Sequence, residues 1–549
     1  MTEWLLSCHN SKESSGVATP LSQTMLANSV DKQLHWFLEQ LAGDISHFDP
    51  SLRPIEIVQS HGYGNMTFYA RNMSSVLPTD PESVGVPPEL ITMEKVPLPR
   101  MVALPGRFIR VAKWITQYHE EGLDAVQQTL HTRYWDLRDH PQNPLPRVWE
   151  LFEPQFLEQC QVVDRARIIA AVLVMVLDNV LRKQEASLMG LFTGVETSAS
   201  LLGRRIWDLR EIAVACGPTI TEKLQQGVVN LDVYVELPEA APLMTALDAF
   251  LRDYGHRGFE SELDYESERI ADRPDMVLLA IAGQLQASEP PQLRSQVAQR
   301  NAQEALDNIA FWSRGLWKKA LQWGQNVIGR REDFKSTLAL SQALYGLGIR
   351  HLARHFYPQQ PDDILFFYTW EEFQEFVQNR GKTRVSLELL EYRRSELELH
   401  RTQPPPPELI WYDPDTKHWR PALQDEASAL DENTRAFTGI PASPGDGPVE
   451  GVAVVTNNPL EAARWLLEMD GPAILVTRLT DPAWSSLFAR LTAVVTELGG
   501  VISHAAIVAR ENGLPAVVGV SEVTQRIRNG QRLRVDGRTG SVEILLKEP

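Results

Sequence analysis

Apolar residues recur at every third or fourth position along most of the chain before residue 400, and this spacing predicts helices. The clearest amphipathic segments lie at positions 34–41, 108–118, 165–181, 304–328 and 335–356. Loops that contain proline and glycine, such as residues 77–88, separate these segments. The pattern therefore predicts a large, mostly α-helical region with few strands.

The pattern changes after a proline-rich segment that begins near residue 401. Four consecutive prolines at 404–407 are typical of a stiff, extended spacer, although an ordinary surface loop also accounts for them. Beyond the segment, short β-branched runs alternate with short helical ones. We therefore expect a multidomain protein: a mostly α-helical domain over 1–400, a Pro-rich linker or hinge over 401–436, and a small α/β domain over 437–549.

Charge and cysteine content narrow the class of protein. The 549 residues include 53 Lys and Arg against 71 Asp and Glu, a net charge of −18 that disfavours nucleic acid as a partner. The cysteines Cys8, Cys160 and Cys216 are far apart, which argues against a disulfide framework or a structural zinc site and suits a reducing compartment.

Targeting and metal-binding patterns are also missing from the sequence. The N-terminal residues show no signal-peptide pattern, and the longest apolar run, at 168–181, is shorter than a membrane span and contains Asp178. We therefore expect a cytoplasmic protein with no membrane partner. His351 and His355 lie four residues apart but lack the acidic HExxH pattern, so no metal site is expected.

The segment 496–519, TELGGVISHAAIVARENGLPAVVG, carries the chemistry. Gly499 and Gly500 allow a tight turn after a strand, and Ser503 is a suitable N-cap for a helix that begins at His504. Backbone N–H groups at a helix start stabilise an anion, and a neutral imidazole is a nucleophile. Both effects would favour phosphorylation of His504. The alternative is that His504 has only a structural role in a loop–helix turn.

This segment resembles the signature of the swivelling phosphohistidine domain of the phosphoenolpyruvate-utilising enzymes. The matching positions are Gly499, Gly500, Ser503, His504, Ala506, Ile507, Ala509, Arg510, Glu511, Gly513, Pro515, Ala516, Val517, Val518 and Gly519. The resemblance implies that His504 is phosphorylated and carries the phosphoryl group between two distant sites. It also implies that Gly499, Gly500, Ser503 and Arg510 support the phosphohistidine.

The helical region is similar to the same family, and in particular to the rifampicin phosphotransferases. The similar segments are 14–22, 190–209, 254–264, 331–335 and 362–373. In that family the α-rich domain binds the phosphoryl acceptor, so His256 and Arg257 of the GHRG segment are acceptor-site candidates. Glu260, Glu262 and Asp264 follow, and the spacing leaves open which acid corresponds to the family's own. A structural turn with a salt-bridged His–Arg pair explains the segment equally well.

The resemblance also shapes the expected partners. The family normally opens with an ATP-grasp domain, and this sequence contains no Gly-rich phosphate loop or paired metal carboxylates that would replace it. We expect no cofactor bound directly, with ATP and Mg²⁺ held by a separate, PEP/pyruvate-binding-like ATP-grasp protein. His504 would then carry the phosphoryl group from that partner to a small-molecule acceptor.

Two other functions stay open at this point. Phosphoryl activation could drive a condensation, as in the prodigiosin-forming enzymes, which look similar in architecture. The chain could instead be a non-catalytic phosphocarrier or regulatory protein.

Overall fold

A computed structural model describes residues 3–7, 17–77, 86–182, 198–258, 264–285, 311–403, 406–407, 409–422, 435–469, 471–480, 484, 487–500 and 503–545. The large helical region and the C-terminal α/β domain are both present, as predicted. Of the helices in these ranges, none is both long and apolar enough to cross a membrane.

Most of the α-helices of these ranges lie before residue 403, and the last three lie after it. They are α1 Pro20–Ala42, α2 Leu98–Glu121, α3 Leu123–Asp139, α4 Leu145–Leu151, α5 Pro154–Arg182, α6 Ser198–Ala215, α7 Pro218–Gln225, α8 Leu231–Val235, α9 Ala241–Tyr254, α10 Pro274–Leu285, α11 Phe311–Phe356, α12 Trp370–Gln378, α13 Leu387–Thr402, α14 Pro459–Glu468, α15 His504–Glu511 and α16 Val523–Arg526. A short helical turn at Met66–Phe68 runs into a π-helical turn at Tyr69–Met73, and 3₁₀ turns lie at Pro238–Ala240, Ile270–Asp272, Ile364–Phe367 and Phe488–Arg490.

The strands form two separate sheets. They are β1 Trp4–Ser7, β2 Ile55–Val58, β3 His61–Asn65, β4 Leu409–Tyr412, β5 Trp419–Pro421, β6 Ala436–Thr438, β7 Ile440–Ser443, β8 Val449–Val455, β9 Ala473–Thr477, β10 Leu491–Thr496, β11 Ala516–Val518, β12 Arg532–Asp536 and β13 Ser541–Leu545.

Helix α11 differs from the prediction of two helices at 304–328 and 335–356. It is continuous from Phe311 to Phe356, while residues 304–310 lie outside the described ranges. A polar run at 329–333 separates the two predicted helices. Arg331 and Glu332 of that run are buried and form an ion pair, so the helix continues through a polar part of the interior.

The chain divides into two compact units, of which the first comprises Met1–Leu173, Leu263–Glu266 and Phe334–Ser428. Its core is rich in aromatic side chains, including Tyr345, Phe366 and Phe373. Its sheet has the order β2-β3-β1-β4-β5, with every neighbouring pair antiparallel. Strands β4 and β5 fall inside the segment predicted as a linker over 401–436, and Leu5 of β1 pairs with Trp411 of β4.

The second unit comprises Val174–Glu262, Ser267–Asp333 and Ala429–Pro549. Its eight-stranded sheet has the order β6-β13-β12-β8-β9-β10-β11-β7, and β8, β9, β10 and β11 are parallel to one another. Only Gly439 separates β6 from β7, yet these strands form the two opposite edges. The sheet must therefore curl until its edges approach each other. The Gly/Pro-rich stretch after residue 436 thus contributes both edge strands of this sheet.

Alternate residues of the central strands enter two different apolar clusters. Ile474 and Val476 of β9 pack on one face of the sheet, whereas Ala473 and Leu475 pack on the other. Burial on both faces is typical of parallel strands covered by helices. The central strands therefore give a rigid support for the loops at their carboxyl ends.

Candidate phosphohistidine site

The site forms where two neighbouring parallel strands end. The N–H of Glu497, just after β10, donates to the Thr477 carbonyl at 3.0 Å, and the N–H of Leu498 donates to the Arg478 carbonyl at 2.8 Å. These bonds hold the two following loops side by side. Loops at the carboxyl ends of parallel strands are the usual place for a binding or catalytic group in an α/β sheet.

The glycine pair sets the turn that leads into α15. Gly499 has φ +125°, and a Cβ at this position would lie 2.9 Å from Ser503 Oγ, so a larger residue would be strained and would crowd the cap. The Gly500 carbonyl accepts a hydrogen bond from the Ser503 N–H at 2.9 Å. Among the residues that the structure describes, none has an atom within 4 Å of a Cβ built on Gly500, apart from its chain neighbours.

Ser503 caps α15, as predicted. Its backbone is extended, with φ −67° and ψ 160°, and its Oγ accepts from the Ala506 N–H at 3.5 Å. His504 is the first residue of the helix and is half-buried, whereas the next seven residues are buried. The imidazole is therefore presented at the positive end of a helix that is anchored in the domain core.

Thr480 is the contact that the sequence analysis missed. A hydrogen bond of 2.9 Å joins its Oγ1 to Nδ1 of His504, and the Thr480 residue is 2% exposed. The ring of Phe488 lies nearly perpendicular to the imidazole, with 6.3 Å between ring centroids. Two groups from the loop after β9 therefore fix the orientation of the ring.

If His504 accepts a phosphoryl group, replacing Thr480 with valine should slow that step about fivefold. Valine keeps the volume but removes the hydroxyl, and one such hydrogen bond is worth about 1 kcal/mol. The rate at which the chain takes up a labelled phosphoryl group, measured over a range of pH, tests this prediction. Thr480→Ser should restore most of the rate, since serine keeps the hydroxyl; equal losses in both variants would indicate a packing role only.

Arg510, which the resemblance assigns to support of the phosphohistidine, lies in the last turn of α15. It is 3% exposed, and its Nη1 donates to the Ala442 carbonyl of β7 at 2.9 Å. Six residues along a helix correspond to about 9 Å of rise from His504. The contact joins α15 to an edge strand of the sheet, and a direct role of Arg510 beside His504 stays a prediction.

His256 and Arg257 lie in a tight turn after α9, and both are buried. A Cβ on Gly255 would lie 2.3 Å from the Leu251 carbonyl oxygen and 2.8 Å from Ala271 Cβ, which explains why glycine begins this turn. The Arg257 carbonyl accepts from the Ile270 N–H at 2.9 Å. The two side chains are thus held in the same compact unit as His504.

The structure describes only one of the three candidate acids that follow this turn. Glu260 and Glu262 lie outside the described residues. Asp264 is described, but it belongs to the first compact unit. Within the described ranges, no group of three or more His, Cys, Asp or Glu side chains is placed to hold a metal ion.

The C-terminal α/β domain over 437–549, called the phosphohistidine domain after the family domain that it resembles, packs on the helices that precede it in the second unit. Leu279 of α10, 3% exposed, shares an apolar cluster with Trp484, Leu487 and Phe488. In the other direction, Leu467 of α14 packs against the core of α6–α10. Helix α15 also contacts α6. Because Phe488 touches both this cluster and the His504 ring, the histidine lies at the border of the junction.

Two family models match segments of the chain. Residues 469–540 match the mobile domain of PEP-utilising enzymes, and residues 164–332 match the fourth domain of rifampicin phosphotransferase. The two matched segments together make up most of the second compact unit.

Similar proteins point in the same direction. The rifampicin phosphotransferase of Streptomyces sviceus is 32% identical over 364 residues, 63% of this chain and 40% of that protein. The prodigiosin synthesizing transferase PigC of Serratia marcescens is 29% identical over 308 residues, 54% of this chain and 33% of that protein. The phosphoenolpyruvate synthase of Aeropyrum pernix is 39% identical over 136 residues, 25% of this chain and 16% of that protein.

The chain thus spans well under half the length of these relatives. The matched segments nevertheless include the histidine loop, strands β9 to β12 of the sheet that supports it, and helices α6–α10. The chain carries the mobile domain of the phosphoenolpyruvate-utilising enzymes and is related to the rifampicin phosphotransferases.

Proposed function

We propose that this chain is a phosphohistidine-dependent phosphotransferase component, in which His504 carries a phosphoryl group to a small-molecule acceptor. The observation that supports this best is the position of His504: it begins a capped helix, it is oriented by Thr480, and it borders the helices that precede the domain. A histidine with a purely structural role at a half-exposed position would not need these contacts to orient its ring.

The first half-reaction follows from the geometry around the ring. With a proton on Nδ1, the Nδ1–H group donates to Thr480 Oγ1, and the lone pair lies on Nε2. Nε2 then attacks the phosphorus atom, and the bond from phosphorus to the leaving oxygen of the donor breaks. The new phosphoryl oxygens carry negative charge, which the N-terminus of α15 stabilises.

The second half-reaction places an acceptor oxygen in line with the same phosphorus atom. Catalysis of phosphoryl transfer is mostly positioning and charge stabilisation. His256 is suited to taking the proton of an acceptor hydroxyl, and Arg257 to holding phosphate or carboxylate oxygens. In this assignment, the packing of the phosphohistidine domain on α6–α10 represents the state that faces the acceptor.

The donor in this proposal is ATP with Mg²⁺, bound by an ATP-grasp partner protein. The test is incubation of the chain with ATP labelled in both its β- and γ-phosphoryl groups, with and without candidate ATP-grasp proteins. We expect acid-labile label on the chain only when a competent partner and Mg²⁺ are present. A chain that stays unlabelled in every mixture would contradict the carrier role.

A second candidate is an ATP-dependent condensation, which the similarity to a prodigiosin synthesizing transferase favours. The chemistry at His504 would be the same, but the phosphoryl group would leave again when a new bond forms between two substrates. Mass spectrometry of the product separates the two functions. A phosphorylated acceptor supports simple transfer, and a ligated product with free phosphate supports condensation.

A further inference from the structure

Helix α2 exposes an apolar surface in the first compact unit. Leu98 is 73% exposed, Val102 76% and Ile109 57%. Val102 and Ile109 are seven residues apart, so they lie on the same side of the helix two turns from each other. Between them stand Pro105 and Gly106, which add little bulk. Exposed apolar side chains that are grouped in this way usually mark a surface that binds a partner.

The charge around this surface is positive. Five basic residues and no acidic residue occur between positions 95 and 119, in a chain whose net charge is −18. Arg107 is directed inward and donates to the Leu41 carbonyl at 2.6 Å. Arg110 and Lys113 are exposed beside Ile109. We call Leu98, Val102, Ile109, Arg110 and Lys113 the basic apolar face.

Helix α13, in the same unit, exposes a second apolar surface of opposite charge. Tyr392 is 58% exposed and Leu399 52%, again seven residues apart. Glu388, Glu391 and Glu398 surround them and are exposed. We call Glu388, Glu391, Tyr392, Glu398 and Leu399 the acidic apolar face.

The basic residues of α13 do not neutralise the acidic apolar face. Arg393 is directed inward and pairs with Glu372 at 2.6 Å, and Arg394 pairs with Asp363 at 2.5 Å. The Arg401–Glu398 pair at 2.7 Å compensates only one of the three acids.

We propose that the two faces are the two halves of one interface between copies of this chain. The basic apolar face of one copy packs on the acidic apolar face of the other, and a two-fold axis repeats the contact with the roles exchanged. Antiparallel packing places Glu388 and Glu391 against Arg110 and Lys113. Each face contains two apolar residues that are seven positions apart, so both residues of this pair in α2 can contact both residues of the pair in the partner's α13.

Charge complementarity selects a second copy over other occupants. A basic apolar helix alone would also suit an anionic lipid surface. The acidic apolar face of the same unit would be repelled by such a surface and would remain uncovered. A second copy is the partner that supplies both complementary surfaces at once.

The test is the molar mass of the 549-residue chain by multi-angle light scattering at several concentrations. We expect twice the chain mass of 61.9 kDa. Arg110→Glu/Lys113→Glu should be monomeric, with a dimer dissociation constant raised at least about 100-fold, because like charges then meet at both contacts. Glu388→Lys/Glu391→Lys should behave in the same way.

Mixing the two variants provides the decisive result. In a pair made of one copy of each variant, the charge-reversed α2 of one copy contacts the charge-reversed α13 of the other. The unchanged basic and acidic apolar faces form the second contact. We therefore expect the mixture to form a heterodimer although each variant alone is monomeric. Lys319→Glu/Lys382→Glu, which changes exposed residues by the same total charge, should remain dimeric.

Several results would overturn the proposal. They are a monomeric wild-type chain, dimers that survive both reversals, and a mixture that stays monomeric. Binding of the wild-type monomer to vesicles containing phosphatidylserine, lost in Arg110→Glu/Lys113→Glu, would assign the basic apolar face to a membrane instead. Each variant should still accept label at His504, because neither face belongs to the phosphohistidine site.

Discussion

Replacing His504 with alanine should reduce phosphoryl transfer by at least about 1,000-fold, which in most assays is complete loss. A nucleophile that forms a covalent intermediate has no substitute when its attacking atom is removed, and such removals rank among the largest single effects in enzymes. In the labelled-ATP assay, the variant should take up no acid-labile label with any partner.

The fold should survive this substitution, because His504 is half-buried at a helix N-terminus and its Ser503 cap remains. Circular dichroism and thermal unfolding check that point. His140→Ala is a matched control, since it removes an imidazole from the exposed end of α3. Equal labelling of wild type, His140→Ala and His504→Ala would rule out His504 as the carrier.

The phosphohistidine domain was largely predictable because its pattern is local. β-branched runs, helical runs and turn residues alternate over short distances. The β-branched runs at 473–476, 493–496 and 516–518 coincide with β9, β10 and β11 within two residues. Ser503 and the glycine pair also act within five residues of His504. Each of these features depends on neighbours in sequence.

The sheet of the first unit could not be predicted in this way. Its strands are three to five residues long, and β1 pairs with β4 across about 400 positions of sequence. Three of the five residues of β3 are His61, Gly62 and Gly64, which give no strand pattern. Neither the N-terminal sequence nor the Pro-rich segment, taken alone, shows a pattern that predicts their pairing.

Two residues of the site show the limit of a signature. Arg510 belongs to the family motif, but the motif gives no hint that its side chain donates to Ala442 of the edge strand β7. Thr480 lies outside the motif, 24 residues before His504, and yet it bonds the imidazole. The available clue was topological: β9 and β10 are adjacent and parallel, so the loops that follow them meet.

The junction between the phosphohistidine domain and α6–α10 gives the second large prediction. Leu279→Ala removes most of an apolar side chain from the cluster that also contains Trp484, Leu487 and Phe488. Such a loss costs about 2–5 kcal/mol. If this junction is the acceptor-facing state, that cost falls on docking of the domain. The expected result is nearly normal labelling of His504 and a transfer to the acceptor slowed about tenfold or more.

Leu278→Ala provides the matched control on the same helix. Leu278 is fully buried in the core of α6–α10 and does not belong to the cluster formed with the phosphohistidine domain. It should therefore lower the thermal stability by a similar free energy without separating the two half-reactions. Single-turnover chase of labelled chain with acceptor measures the second step alone. If both variants slow labelling and transfer equally, the junction serves stability only, and the acceptor-facing state must be another arrangement of the domain.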